Sequence, residues 1–189
     1  MGIKVSVIVI AVLLCGCATR DPAVVSNDTR RAGNWQIETQ IDRITGAPLE
    51  SALLVAPSSH SAEPFPKKAT LQLACFNKKP LVRFSFEVKV ATTRSNEFGY
   101  RFDDKPGHQI AASFLGNDTV AVIDSAADVT QFLNELADGK TLYVRIRSLG
   151  FGRTTAEFNV EGAGAAIAAT TAHCPPVIEE PKPARKPRR

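Results

Sequence analysis

Arg83, Arg101, Arg145 and Arg147 each fall on the polar side of a strongly alternating stretch. Guanidinium forks suit carboxylates and phosphates, so four of them on one sheet face would form a binding patch for an acidic ligand. The competing use is cross-strand pairing with Glu87, Glu157 and Glu161. The three histidines, His60, His108 and His173, stand in no HExxH arrangement, and the chain carries no GxSxG, P-loop or GxGxxG motif. His60 has only Glu63 nearby as a ligand type, and His108 flanks a turn as an exposed side chain. Asp103 and Asp104 are adjacent, and neighbouring carboxylates in a strand or turn point apart. That spacing favours a structural role over acid–base work or Ca²⁺ binding. Gly150-Phe151-Gly152 reads as a turn, and Trp35, the single tryptophan, as a core anchor. No nucleophile, base and orienter can be named together. The expectation is a protein that is not an enzyme and uses no cofactor or metal.

The cysteines separate by position. Residues 1–17 carry one cation, Lys4, then an apolar run from Val5 to Leu14. The run is too short to span a bilayer as a helix and suits the core of an export signal. Leu14-Cys15-Gly16-Cys17 resembles a bacterial lipobox, which implies cleavage before Cys17 and lipidation of Cys17. Several acyl chains on one residue anchor stably, where one is marginal. The alternatives are a plain secretory signal cut after Ala18 and an uncleaved anchor. Gly2 and Ser6 also fit a myristoylation pattern, which the apolar run behind them makes a coincidence. Ala18 follows Cys17, so no Asp marks inner-membrane retention, and the expected address is the outer membrane facing the periplasm. On this reading Cys75 and Cys174 remain as an even pair in an oxidising compartment, where a disulfide is the default. A metal pair completed by His173, or a catalytic thiol, is the alternative.

The elements that must position these groups read as mainly β. The chain has 189 residues, net charge +4, 44% hydrophobic and 22% charged residues, which is ordinary for one globular domain. Residues 18–32 are polar without a period and read as a flexible tether. Trp35, Ile37 and Thr39 share one face of a first strand from Gly33. Ser51–Ala56 is a short strand, and 57–68, with three prolines, is a surface loop. The stretch 69–90 is the clearest hairpin: Leu71, Leu73 and Cys75 on one face, a turn at Asn77-Lys78-Lys79-Pro80, then Val82, Phe84, Phe86, Val88 and Val90 inward. Strands follow at 97–103, 109–115 and 119–123, the last two joined at Gly116-Asn117-Asp118. A helix starts after Asp124-Ser125, either of which can cap it, with Asp128 three residues after Ser125, close to a capping box, and stops at Gly139. Lys140–Arg147 and Arg153–Glu161 form another hairpin, and Ala163–His173 is a small-residue helix closing on Cys174. The expected architecture is an antiparallel sandwich or curved sheet of eight or nine strands, with one amphipathic helix and a short C-terminal helix; α+β is the variant. The domain spans 33–174.

Residues 175–189 hold five prolines and five basic side chains against Glu179 and Glu180, a local charge of +3. They read as a disordered basic tail for contact with peptidoglycan, lipid headgroups or an envelope protein. The domain itself is close to neutral, so nucleic acid is not an expected partner.

The order of Gly33-x-Trp35, Leu71-x-Leu73-x-Cys75, Tyr100-Arg101-Phe102-Asp103, Leu142-x-Val144-Arg145, Ala156-x-Phe158-x-Val160-x-Gly162 and a helix closing on Cys174 resembles the periplasmic accessory proteins of type VI secretion (the TagO/VasI group). The likeness covers 33–174. It implies a β-rich periplasmic domain with a disulfide and no established catalysis. The lipobox and the basic tail depart from that group. The function expected is a non-enzymatic envelope lipoprotein acting as an accessory or binding module. A lysozyme-inhibitor-like protein is the alternative, and a cell-wall enzyme the third reading.

Overall fold

The structure is a computed structural model and describes residues 24–61, 67–92, 96–172 and 174, with backbone alone for 24–27. Cys17, the signal segment, His173 and the tail lie outside the described residues. The chain begins with β1 (Val24–Ala32) and β2 (Trp35–Asp42), paired antiparallel through a two-residue turn. Gly33 supplies the positive φ, +57°, at the first turn position. Residues 24–32 are therefore strand where a tether was expected. β1 reads as polar because it is an edge strand: it pairs only with β2, so its side chains need no apolar period.

β3 (Pro48–His60) is longer than the expected Ser51–Ala56 strand. Pro57 sits where the register with β4 (Lys67–Phe76) shifts, between Ala56 and Ser59, and such a bulge tolerates a residue with no N–H. The expected 57–68 loop shrinks accordingly. β5 (Lys79–Phe86) returns through Asn77-Lys78, both at positive φ, the geometry of a type I′ turn. Ladder pairing ends at Phe86, though Val90 is still buried.

β6 (Asn96–Phe102) follows. The single strand expected at 109–115 is two: β7 (His108–Ile110) pairs β6, and β8 (Ser113–Leu115) pairs β9 (Val120–Ile123). Then come α1 (Ala126–Asp138), β10 (Thr141–Ser148), β11 (Gly152–Asn159) and α2 (Ala163–Thr171). Ser125 caps α1 without a side-chain hydrogen bond, so the expected capping box does not form. Gly139 ends α1 at φ −79°, not in the left-handed region; it is needed because a Cβ there would lie 2.8 Å from the Phe102 ring.

The eleven strands of the described residues form one antiparallel sheet, ordered β7-β6-β10-β11-β3-β4-β5-β9-β8, with β2 and β1 attached beside the first half of β3. The sheet curls. β5 and β6 are five steps apart in that order, which in a flat sheet would separate them by about 24 Å. Yet the Phe84 and Phe98 rings lie 5.3 Å apart. Only Ala111-Ala112 joins β7 to β8, so the two edges of the sheet come close together. The architecture is thus a curled half-barrel, the curved-sheet form of the expected class.

The concave side holds the core. Phe84 meets Phe98, Phe132 and Phe158, and Phe132 also packs on Tyr100 and Phe102. α1 buries Val129, Phe132 and Leu136. α2 turns Ala163, Ala166 and Ala169 inward, and such small side chains let its backbone approach the sheet. Trp35 is fully buried, with its indole N–H donated to the Val160 carbonyl at 3.2 Å. The Cys75–Cys174 disulfide fastens the chain after α2 to the end of β4.

Candidate functional site

Strand alternation sends Leu142, Val144 and Ile146 of β10 inward and Tyr143, Arg145 and Arg147 outward. The ladders on both sides decide what meets them. Tyr143 stands between Arg101 of β6 and Glu157 of β11. Arg145 stands between Gly99 and Thr155, and Arg147 between Glu97 and Arg153. The convex face thus gathers Arg101, Arg145, Arg147 and Arg153.

The Arg101 guanidinium lies over the Tyr143 ring, 5.0 Å from its centroid, a cation–π contact that fixes the cation without neutralising it. Gly99 lines the floor beside Arg145: a Cβ there would sit 3.0 Å from the His108 carbonyl oxygen and, at 3.8 Å, in ordinary contact with the Arg145 Nη2. The result is an open depression of about 780 Å³ lined by Arg101, Tyr143, Arg145, Glu157, Gln109 and His60. A second hollow of about 840 Å³ continues past Arg145 to Arg147, Leu149 and Arg153.

Among the described residues, Arg147 is the only arginine in an ion pair, with Glu97 at 3.6 Å. Both side chains are well exposed, so solvent screens that pair. The expected pairing with Glu157 does not form, because register puts Glu157 opposite Tyr143 rather than opposite an arginine. Glu161 lies beyond β11, and Glu87 accepts the Lys68 backbone N–H. Arg83 does not join the others. It projects from β5 between Gln72 and Val122, four strands from β10. Arg153 belongs to the cluster and was absent from the sequence-derived patch. Its signal is the Leu149–Phe151 turn, which pairs Ser148 with Gly152 and so sets Arg153 opposite Arg147.

His108 is half-buried and engaged, not exposed as its turn position suggested. Its Nε2 lies 2.9 Å from Glu135, and Gln131 bridges its Nδ1 and the Glu135 carboxylate. Tyr100 packs on the same imidazole with ring centroids 4.9 Å apart. Its hydroxyl is buried without a partner among the described residues, and burial, then the charges of Glu135 and Asp128, push its pKa up. This cluster ties α1 to the β6–β7 edge. Asp103 is structural: its carboxylate accepts the backbone N–H groups of Lys140 and Thr141, the latter at 2.8 Å. Among the described residues no group of three His, Cys, Asp or Glu is placed to hold a metal ion.

Chemically, the convex face offers largely unneutralised guanidinium forks, one of them held over an aromatic ring, an arrangement that recognises anionic groups. No protein-family model, curated protein or solved structure matches this chain.

Proposed function

We propose that this protein is a lipid-anchored binding module of the bacterial envelope that acts by holding an acidic partner rather than by turnover. The observation that carries this reading is the Arg101–Tyr143–Arg145 groove. Its two arginines have no carboxylate within 4.0 Å among the described residues, and a folded protein that keeps cations clustered and unpaired on a rigid sheet forgoes their mutual screening. An acidic surface of another envelope protein supplies the missing countercharge. The address rests on the Cys17 lipobox. The accessory role in secretion follows from the resemblance of 33–174 alone.

The test is in-cell photo-crosslinking from position 143. The expected result is a discrete adduct that Arg101→Glu or Arg145→Glu abolishes and Arg83→Glu leaves intact, since Arg83 lies four strands away from β10. An adduct indifferent to all three reversals, or no adduct, would overturn the reading. Intact mass of the mature protein decides lipidation separately, with the lipid lost in Cys17→Ala and kept in Cys15→Ala.

A further inference from the structure

Two hairpin tips and both ends of the described chain meet at one end of the domain. Ser51 of β3 pairs with Ala74 of β4, so the β2–β3 loop (43–47) and the Asn77-Lys78 turn project in the same direction. Together they expose Ile44 (85%) and Phe76 (66%), with Ile41 and Leu49 partly exposed beside them. Arg43, Lys78 and Lys79 flank these side chains and outnumber the carboxylates at the same end, Asp42 and Glu50. Val24 pairs with Asp42, so the chain enters β1 at this end. Cys174 is bridged to Cys75, the neighbour of Phe76, so the described chain also ends here. Leu149, 84% exposed, belongs to the opposite end, because Thr155 pairs with His60 at the far limit of β3.

We infer that this end is a membrane-docking face that lies on an anionic bilayer surface. Ile44 and Phe76 enter the headgroup–acyl boundary, while Arg43, Lys78 and Lys79 meet the headgroups. Exposed apolar side chains beside an excess of cations are the composition of an interfacial contact, and each nearby cation adds attraction to anionic lipid. Chain length agrees. Six residues separate Cys17 from Val24, a reach of about 25 Å at full extension. In this the inference rests on the lipid-anchor reading; the tips and their charges stand without it. The convex arginine groove then faces sideways from the membrane, accessible to a partner.

The experiment uses the full chain, reconstituted into vesicles of zwitterionic lipid with an anionic fraction. An environment-sensitive dye is attached in turn at Ile44→Cys, Phe76→Cys and Leu149→Cys. Emission at 44 and 76 should shift to the blue on vesicles and be lost to a lipid-borne quencher, while position 149 stays unchanged. Unchanged emission at 44 and 76 would overturn the inference. So would a shift that appears without lipid as protein concentration rises, which assigns the tips to a second copy of the chain. The mass of the mature N-terminus keeps the two readings apart. A lipidated chain with silent tips refutes the docking face alone, and an unlipidated chain whose tips still shift refutes the anchor alone.

Discussion

Gly33 and Gly162 stand backbone to backbone where the β1–β2 turn meets the turn into α2. A Cβ on Gly162 would lie 2.1 Å from the Ala32 carbonyl oxygen, and one on Gly33 would lie 2.4 Å from that of Glu161. The Asn34 N–H donates to the Glu161 carbonyl at 3.1 Å across the same contact. Both glycines also have positive φ, +57° and +91°. The contact closes the sheet's first hairpin onto its last helix, and neither partner has room for a side chain.

Gly162→Ala should therefore lower stability by at least about 2 kcal/mol, from left-handed backbone strain plus the clash. Gly164, the second residue of the helix that Gly162 precedes, has nothing within 4 Å of its ideal Cβ. There the change to Ala should raise stability by about 0.5–1 kcal/mol. Denaturant midpoints of the two variants check the pair of signs. Equal effects at both positions would mean that close approach is not what selects glycine at 162.

Such contacts mark the limit of what the sequence discloses. Alternation at 82–90 and 141–148 reveals which side chains turn inward, and the turn residues Asn77-Lys78 locate the central hairpin. Alternation does not say which strands are neighbours. The Phe84–Phe98 contact between strands five steps apart, and the separation of Arg83 from Arg145, depend on strand order that only the folded chain settles. β1 escaped because an edge strand in water needs no apolar face. The 109–115 strand looked continuous because its break, Ala111-Ala112, contains no Gly or Pro; the break comes from the chain passing from one edge of the curled sheet to the other. Arg153 was legible through hairpin register, and the groove around it was not.

The disulfide spans a sequence separation of 99. Constraining so long a loop in the unfolded chain contributes about 2–5 kcal/mol in the chain-entropy account. Replacing Cys75 and Cys174 together by Ala should lower the denaturation midpoint by that order and make it indifferent to reductant, whereas the native chain should lose stability on reduction. Equilibrium unfolding with and without dithiothreitol measures both. If reduction leaves the native midpoint in place, the bridge is not part of what stabilises the fold.

Tyr100 predicts an alkaline limit. Burial, and to a smaller degree the charges of Glu135 and Asp128, hold its phenol above the ordinary value of 10.0. The unfolded chain loses that proton near the ordinary value, so the contribution is fully present below it and is lost as pH rises further. The chain has two tyrosines, and Tyr143→Phe leaves Tyr100 alone. In that variant tyrosinate absorbance should be absent from the native fold and should appear together with the loss of far-ultraviolet circular dichroism. A smooth titration around the ordinary value in an intact fold would contradict the buried hydroxyl.

Asp42 gives the corresponding acid-side prediction, at the tip inferred to meet the membrane. Its carboxylate accepts the Ile44 N–H at 2.8 Å and the Thr45 hydroxyl at 2.9 Å, and the Gly46 N–H donates to its carbonyl at 2.8 Å. The Ile44 N–H, then the Thr45 hydroxyl, draw its pKa below the ordinary 3.8. A lowered carboxylate pKa favours the folded loop fully above the ordinary value and progressively less as pH falls through the lowered one. Hydrogen-exchange protection of the Ile44 amide should therefore hold from neutral pH down to the ordinary aspartate range, fall below it, and be absent at every pH in Asp42→Ala. Protection in the β4–β5 hairpin should not follow, because its turn rests on the positive φ of Asn77 and Lys78 rather than on a carboxylate. The loop is exposed, so the global unfolding midpoint at neutral pH should barely move. Protection of Ile44 that survives in Asp42→Ala would assign the order of this tip to its strands, and the carboxylate would then be incidental to how Ile44 is presented.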